Sequence, residues 1–256
     1  MAHPDRFSLA DQVALVIGGS SGIGRQIALG FQEAGARVAI VGKTPAKVEE
    51  VAHRLKAADA AASAYAADVT DFARLREIMA EVVVRQGKLD ILVNSQGTTL
   101  LKPAEEFTDA EFDFIIDTNL KSVFFACTEA GRHMLGHGRG AIINIASVAS
   151  YRGFQQSALY SMSKRGVLAL TETLAAEWAT RGIRVNGIAP GFFMTPLNRD
   201  RMSAERKANA LRRTPMGRFG ELDELVGAAI YLASPSASYV TGEIIRVDGG
   251  YLAAGF

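Results

Sequence analysis

The chain has 256 residues, enough for one large α/β domain or two small ones, and sets 28 basic against 27 acidic residues. That balance excludes an electrostatic grip on nucleic acid or an anionic membrane and leaves small molecules or further copies of the chain as partners. The single cysteine, Cys127, excludes an intrachain disulfide and a thiolate metal cluster, and no apolar run of about 18 residues or leader segment is evident, so a soluble, cytoplasmic protein is expected.

The first predicted strand, Val13 to Ile17, runs into "GGSSGIG", which places Gly18, Gly22 and Gly24 between strand and helix. Glycine there permits a tight turn and a close backbone approach to a pyrophosphate held at a helix N-terminus. A strand-to-helix turn without a ligand can carry the same residues. The second strand, Val38 to Val41, leads into "GKTPAK", where Thr44 and Pro45 read as an N-cap and a first helical position. An NAD site would place a carboxylate about 20 residues past the glycines, on the ribose 2′-hydroxyl. Gly42, Lys43 and Thr44 offer none; Lys43 suits a 2′-phosphate, or is a solvated loop lysine. The alanine-rich "AADAAASAYAAD" over 57–68 assigns no element.

Further strands are predicted at Ile91 to Val93, Ile142 to Ile145, Val185 to Ala189 and Ile244 to Val247. Near-continuous apolar strands alternating with helices, without a linker, predict an α/β fold. It is a single-domain, Rossmann-type, doubly wound parallel sheet with helices on both faces, spanning 1–256. Thr108 and Glu111 match a capping box ahead of the helical "FDFIIDTNLKSVFFACTEAGRHML". Asn119, inside that stretch, is a poor choice for a helix unless its side chain has a specific partner. His133 and His137 are four apart but lack the glutamate of a zinc helix, so no metal is expected and both read as residues of a helix C-terminus.

"SALYSMSKRG" sets Tyr160 and Lys164 four apart, on one helix face. A solvated surface pair is the plain reading. A cation about 4 Å from a phenol, at an effective dielectric near 20, favours tyrosinate by roughly 4 kcal/mol before desolvation is counted. Beyond the predicted strand Val185 to Ala189, residues 192–213 interrupt the α/β alternation as a substrate lid. Arg199, Arg201, Arg206, Lys207, Arg212 and Arg213 are opposed there only by Asp200 and Glu205. That suits an anionic substrate or a solvated amphipathic helix pair.

These segments together resemble the short-chain dehydrogenase/reductase family over nearly the whole chain. The glycine spacing G-x-x-x-G-x-G, "DILVNSQG", "NIASVAS", in which a strand is expected to end at Ser147 thirteen residues before Tyr160, "DTNLKSVF", "VNGIAPGFFMT" and "YVTGEIIRVDGGY" carry the resemblance. It implies a catalytic tetrad of Asn119, Ser147, Tyr160 and Lys164. Tyr160 would be general acid/base, Ser147 a donor to the carbonyl oxygen, Lys164 a holder of the nicotinamide ribose, and Asn119 the holder of a water beside Lys164. The cofactor set it implies is Gly18, Ser20, Ser21, Gly22, Ile23, Gly24, Lys43, Asp68, Val69, Asn94, Gly97, Tyr160, Lys164, Pro190, Gly191, Phe193 and Thr195. The cofactor is expected to be NADP(H), with some use of NAD(H), and the assembly a homotetramer. Ile17 replaces the family's turn-bracing threonine, and Ser95 and Gln96 depart from its N-N-A-G segment, with altered packing expected near the adenine side.

"RTPMGRFGELDELVGAAIYLAS" resembles the sugar-acid and polyol members of the family, gluconate 5-dehydrogenases among them, and Arg152, Gln155 and Gln156 add polarity in the substrate-lining region. The 3-oxoacyl-carrier-protein reductases share much of that run but carry arginines where this chain has Gly138 and Ala176. The expected reaction is ketone to secondary alcohol by hydride transfer. The alternatives are a 3-oxoacyl thioester substrate or, in a different class, a non-catalytic NADP(H)-binding sensor, against which an intact tetrad argues.

Overall fold

A computed structural model describes residues 4–195 and 202–254. Seven strands, β1 (Val13–Ile17), β2 (Arg37–Gly42), β3 (Ser63–Ala66), β4 (Ile91–Asn94), β5 (Gly140–Ile145), β6 (Ile183–Pro190) and β7 (Ile244–Val247), form one parallel sheet in the order 3-2-1-4-5-6-7. The order reverses between β1 and β4, the place in such a sheet where a crevice opens beyond the strand C-termini.

Because strand side chains alternate, each strand feeds both layers. Ala14, Val16, Val38, Ile40, Ile91, Val93 and Ile143 pack under α1 (Gly22–Glu33), α2 (Pro45–Ala58) and, near the chain's end, Val226–Ala233. Val13, Leu15, Ile17, Val41, Leu92 and Ile142 pack under α3 (Phe72–Gln86) and two long helices. Burial on both faces is why these strands read as unbroken apolar runs. β3 was illegible in the sequence for the converse reason. It is a half-exposed edge strand built from "SAYA", with no apolar run and no alternation to detect.

The helix starts follow local chemistry. Thr44 is the N-cap of α2 with Pro45 at its first turn, although its hydroxyl caps nothing. Asp71 accepts from Arg74 N–H at 2.9 Å to start α3. The Thr108–Glu111 capping box is formed and opens α4 (Asp109–Ile116). The helical stretch expected to continue to Leu135 is not uniform: α4 passes through a π-helical turn, Asp117–Lys121, before α5 (Ser122–His137). His133 and His137 do lie at the end of α5, where His137 Nδ1 meets the His133 carbonyl at 2.9 Å. The helix bearing Tyr160 and Lys164 is α6 (Ala158–Trp178), and the segment expected as a lid holds α7 (Ala204–Arg213), followed by α8 (Val226–Ala233). Residues 196–201 of the expected lid, with Arg199, Asp200 and Arg201, lie outside the described residues. Among the described residues no helix is long and apolar enough to cross a membrane, and no cluster of side chains fits a metal ion.

A polar seam crosses the otherwise aliphatic interior. Asn94 at the end of β4 donates to Asn144 Oδ1 of β5 at 2.9 Å and to Cys127 Sγ at 3.2 Å. Asn144 in turn donates to Thr171 Oγ1 at 2.9 Å. Burial pushes the Cys127 thiol up to about 12, so it stays protonated and unreactive.

Candidate active site

The crevice at the end of β1 is shaped by glycine. Gly18 takes a left-handed φ of +78°, and its N–H and that of Gly19 both donate to the Val41 carbonyl, at 2.9 and 3.0 Å. This backbone brace is present although Ile17, with its side chain in the core, has no hydroxyl to give. A Cβ on Gly24 would stand 2.3 Å from the Gly18 carbonyl oxygen, so only glycine lets the helix start close against the turn. α1 begins behind an extended Ser21 with no side-chain cap and no acidic residue in its first turn, leaving its N–H groups for an external anion. Thr195 faces this turn: a Cβ on Gly22 would lie 3.8 Å from it. Gly191, following Pro190, donates to the Val247 carbonyl at 2.9 Å, which fixes that segment over the crevice.

Several expected cofactor residues point elsewhere. The Asn94 side chain is spent in the polar seam, so only its backbone borders the crevice. Phe193 is buried in the α1-side core and presses on Gly220, where a Cβ would meet its ring at 2.3 Å. Ile23 packs on that core and Val69 on the opposite one. Gln96 is buried, donating to Asn94 Oδ1 at 3.3 Å and Ser122 Oγ at 3.2 Å. Its departure from the family pattern therefore extends the polar seam. Ser95 does border the turn, 3.1 Å from a Cβ placed on Gly24.

Lys43 and Asp68 come together as an ion pair at 2.7 Å. Burial pushes the Asp68 carboxyl up, but hydrogen bonds from Lys43 and from Thr70 N–H and Oγ1, the last two at 3.0 and 2.8 Å, outweigh it and hold it below its ordinary value. Ser20 fills the room beside Gly42, where a Cβ would sit 2.1 Å from its hydroxyl, so no carboxylate could grow there.

The four tetrad residues converge at the C-terminal edge of β5. Ser147 lies two residues past the end of β5, where its hydroxyl accepts from Ala149 N–H at 3.1 Å, and it acts to lower the pKa of the Tyr160 phenol. Lys164, one turn along α6, is buried with its Nζ donating to the Ile145 carbonyl at 2.7 Å. Asn119 is fully buried in the π-helical turn; its Nδ2 donates to the Thr98 carbonyl at 2.8 Å and Ser163 Oγ at 3.1 Å, and its Oδ1 accepts from Thr98 N–H at 2.8 Å. A Cβ on Gly97 would lie 3.4 Å from Lys164 Nζ and 3.6 Å from Asn119 Oδ1, so glycine there keeps the ammonium open to the crevice.

Sharing a helix face does not by itself lower the phenol's pKa. Burial raises Tyr160 above its ordinary value, the Ser147 hydrogen bond opposes this, and Lys164, turned to Ile145, adds nothing. Burial also pulls Lys164 down to about 8. Desolvation therefore sets the direction of both shifts in this arrangement.

Against known families, residues 17–252 match the model described as enoyl-(acyl carrier protein) reductase. The gluconate 5-dehydrogenase of Gluconobacter oxydans is 38% identical over 251 residues, covering 98% of each chain. The chain belongs to the short-chain dehydrogenase/reductase family. The 3-oxoacyl-[acyl-carrier-protein] reductase of Staphylococcus aureus is 40% identical over 238 residues, covering 93% of this chain and 96% of the relative, so identity alone does not separate two substrate classes. Among solved family structures, the gluconate 5-dehydrogenase of Burkholderia cenocepacia, in complex with NADP and tartrate, superposes with a TM-score of 0.92 at 39% identity over 98% of this chain and 99% of that one.

In this family member the structure also brings together side chains that the sequence leaves in separate segments. Phe154, Phe192 and Tyr251 form an aromatic trio with ring centroids 5.1 to 6.2 Å apart, joining the loop before α6, the segment after Gly191 and the C-terminal turn. Arg152 reaches the same tail at the Ala254 carbonyl, 3.2 Å away. A larger cleft of about 430 Å³ lies at the opposite, N-terminal strand ends. Its Lys88 and Arg139 are both held by Asp90, and its Arg184 caps the carbonyls ending α8, so those charges serve the fold.

Proposed function

We propose that the chain is an NADP(H)-linked oxidoreductase interconverting a ketone and a secondary alcohol, acting on sugar acids or polyols. The observation carrying this reading is the buried Lys164, one helical turn past Tyr160, with its Nζ on the Ile145 carbonyl two residues before Ser147, at the edge of the crevice that the glycine turn opens. The chain fits the cofactor. The uncapped N-terminus of α1 suits the pyrophosphate, Gly97 leaves Lys164 accessible for the ribose hydroxyls, and Lys43 stands beyond β2, where the 2′-phosphate needs a cation. NADP(H), when bound, supplies or accepts the hydride.

The protein's own part is proton and charge management. In reduction Ser147 donates to the carbonyl oxygen as negative charge develops, and Tyr160 delivers the proton to that oxygen; in oxidation the roles reverse. Since burial raises the phenol's pKa, Tyr160 is a competent acid as it stands. It becomes a competent base near neutrality only when the Lys164 ammonium turns from Ile145 toward it. Asn119, locked on Thr98 and Ser163, holds the π-helical turn that forms the floor beside Lys164.

Support for the sugar-acid class comes from the 38% identical gluconate 5-dehydrogenase and from tartrate, a hydroxylated dicarboxylate, in the Burkholderia relative. The Staphylococcus relative keeps a 3-oxoacyl thioester as the second reading. Exposed Phe112, Phe114 and Phe124 on α4 and α5 support assembly with further copies, in the family's tetramer. The test follows NADPH and NADH oxidation with 5-keto-gluconate, a 3-oxoacyl thioester and a small apolar ketone, with Tyr160→Phe as control. Turnover of the keto acid that vanishes in the variant supports the proposal; turnover of the thioester alone replaces it with the second reading. NADPH binding without turnover of any ketone refutes catalysis by this route.

A further inference from the structure

We propose that Arg206 is the carboxylate anchor of the substrate cleft, docking the acid end of a hydroxylated keto acid whose carbonyl lies at Tyr160. The inference rests on the sugar-acid reading above and assigns its specificity to one side chain.

Arg206 is placed by the fold. Ser203 caps α7 by accepting from Arg206 N–H at 3.2 Å, which sets the residue in the first turn, on the inward side of the lid. Its guanidinium reaches across to α6 and donates to Ser157 Oγ at 3.2 Å. Ser157 is buried at the N-cap position of the catalytic helix, three residues before Tyr160, or about 4.5 Å along the axis. Anchor and proton donor thus belong to one short span, the scale of a small carbon chain.

The chemistry at Arg206 is incomplete. A guanidinium has five donors, and the hydrogen bond given above uses one of them, on a neutral hydroxyl. No carboxylate pairs with it among the described residues. Burial lowers its pKa below the ordinary value, with only the Tyr251 phenol opposing. A half-buried cation without a counter-charge is unfavourable until an anion arrives, and a planar carboxylate fits its fork in two parallel hydrogen bonds. Arg184, also buried without a carboxylate, is instead spent on the Leu232, Ala233 and Ser234 carbonyls. Arg25 is held by Glu50 and Arg218 by Glu224, while Arg212, on the same helix, is exposed and bonded to Asn209. Tyr251, the electrostatic neighbour of Arg206, packs its ring against Phe154 and Phe192, so the guanidinium borders an aromatic surface.

The experiment measures kcat/KM for 5-keto-gluconate and for a neutral ketohexose with wild type, Arg206→Met and Arg206→Lys. The anchor predicts that the acid-to-ketose ratio of kcat/KM falls about 10- to 100-fold in Arg206→Met, mainly through KM, and is partly restored in Arg206→Lys. A ratio unchanged within about twofold, with the acid still turned over, overturns the anchor while leaving the sugar-acid reading intact. Wild type that reduces a 3-oxoacyl thioester and ignores the keto acid overturns the underlying reading and the anchor with it.

Discussion

Lys43→Met tests how this crevice discriminates between phosphorylated and unphosphorylated cofactor. Two unit charges about 4 Å apart attract by about 1 kcal/mol in bulk water and about 4 kcal/mol at an effective dielectric of 20. Lys43 is 72% exposed, so the lower end applies, and its 2.7 Å bond to Asp68 must first be surrendered. An exposed pair of that kind is worth about 0–1 kcal/mol. The 2′-phosphate carries more than one charge, so the net preference owed to Lys43 is about 1–2 kcal/mol, or roughly 5- to 30-fold in affinity. Fluorescence titration with NADPH and NADH should show that loss for NADPH in Lys43→Met, with NADH shifted by less than about twofold. The loss should shrink as salt rises from about 0.05 to 0.5 M, because the site is open to screening. Equal weakening of both cofactors, or none, refutes the assignment and leaves Lys43 as a structural partner of Asp68.

Lys164, held at about 8 against an unfolded value of 10.5, releases its proton earlier in the folded chain. The unfolded chain therefore binds more protons between those values, and stability rises with pH across that window, by on the order of 3 kcal/mol at most. Urea midpoints measured at about pH 7.5 and 9.5 should rise in wild type relative to Lys164→Met; parallel curves would sink the claim. Above about pH 10 the raised Tyr160 acts with the opposite sign, since the unfolded phenol ionises first and draws the chain toward unfolding. Asn119→Ala strands the Thr98 N–H and carbonyl, with a cost of about 2–4 kcal/mol and a thermal midpoint lowered by about 5–10 °C; no change would mean water replaces the amide. Gly24→Ala forces a Cβ to 2.3 Å from the Gly18 carbonyl. NADPH affinity should fall at least about tenfold, with far-ultraviolet circular dichroism unchanged; full affinity would show that the turn relaxes.

The doubly wound sheet was legible because burial on both faces writes itself as apolar runs, from Val13–Ile17 to Ile244–Val247. Where burial is partial, as at β3, the signal vanished. Motif spacing located Ser147, Tyr160 and Lys164, yet not the direction of their side chains: the ammonium on Ile145 and the raised phenol depend on local packing that spacing does not encode. Asn94 and Phe193 show the same limit, their side chains facing the core while their backbones border the crevice. Tyr251 and Arg206 lie in segments the sequence singled out, but spacing along the chain does not show which side chains of those segments meet the aromatic rings and α6.

The amide seam between β4 and β5 acts as a ruler. Aliphatic strands lying side by side carry no marks, and sliding one by two residues keeps every apolar group on its proper face. Here Asn94 stands opposite Asn144, and such a slide would set each amide against an aliphatic neighbour, with a penalty of about 1–3 kcal/mol apiece. Gly97 lies three residues beyond the first amide and Ser147 three beyond the second, so the graduation that aligns the strands also sets in step the two loops that leave their C-terminal ends.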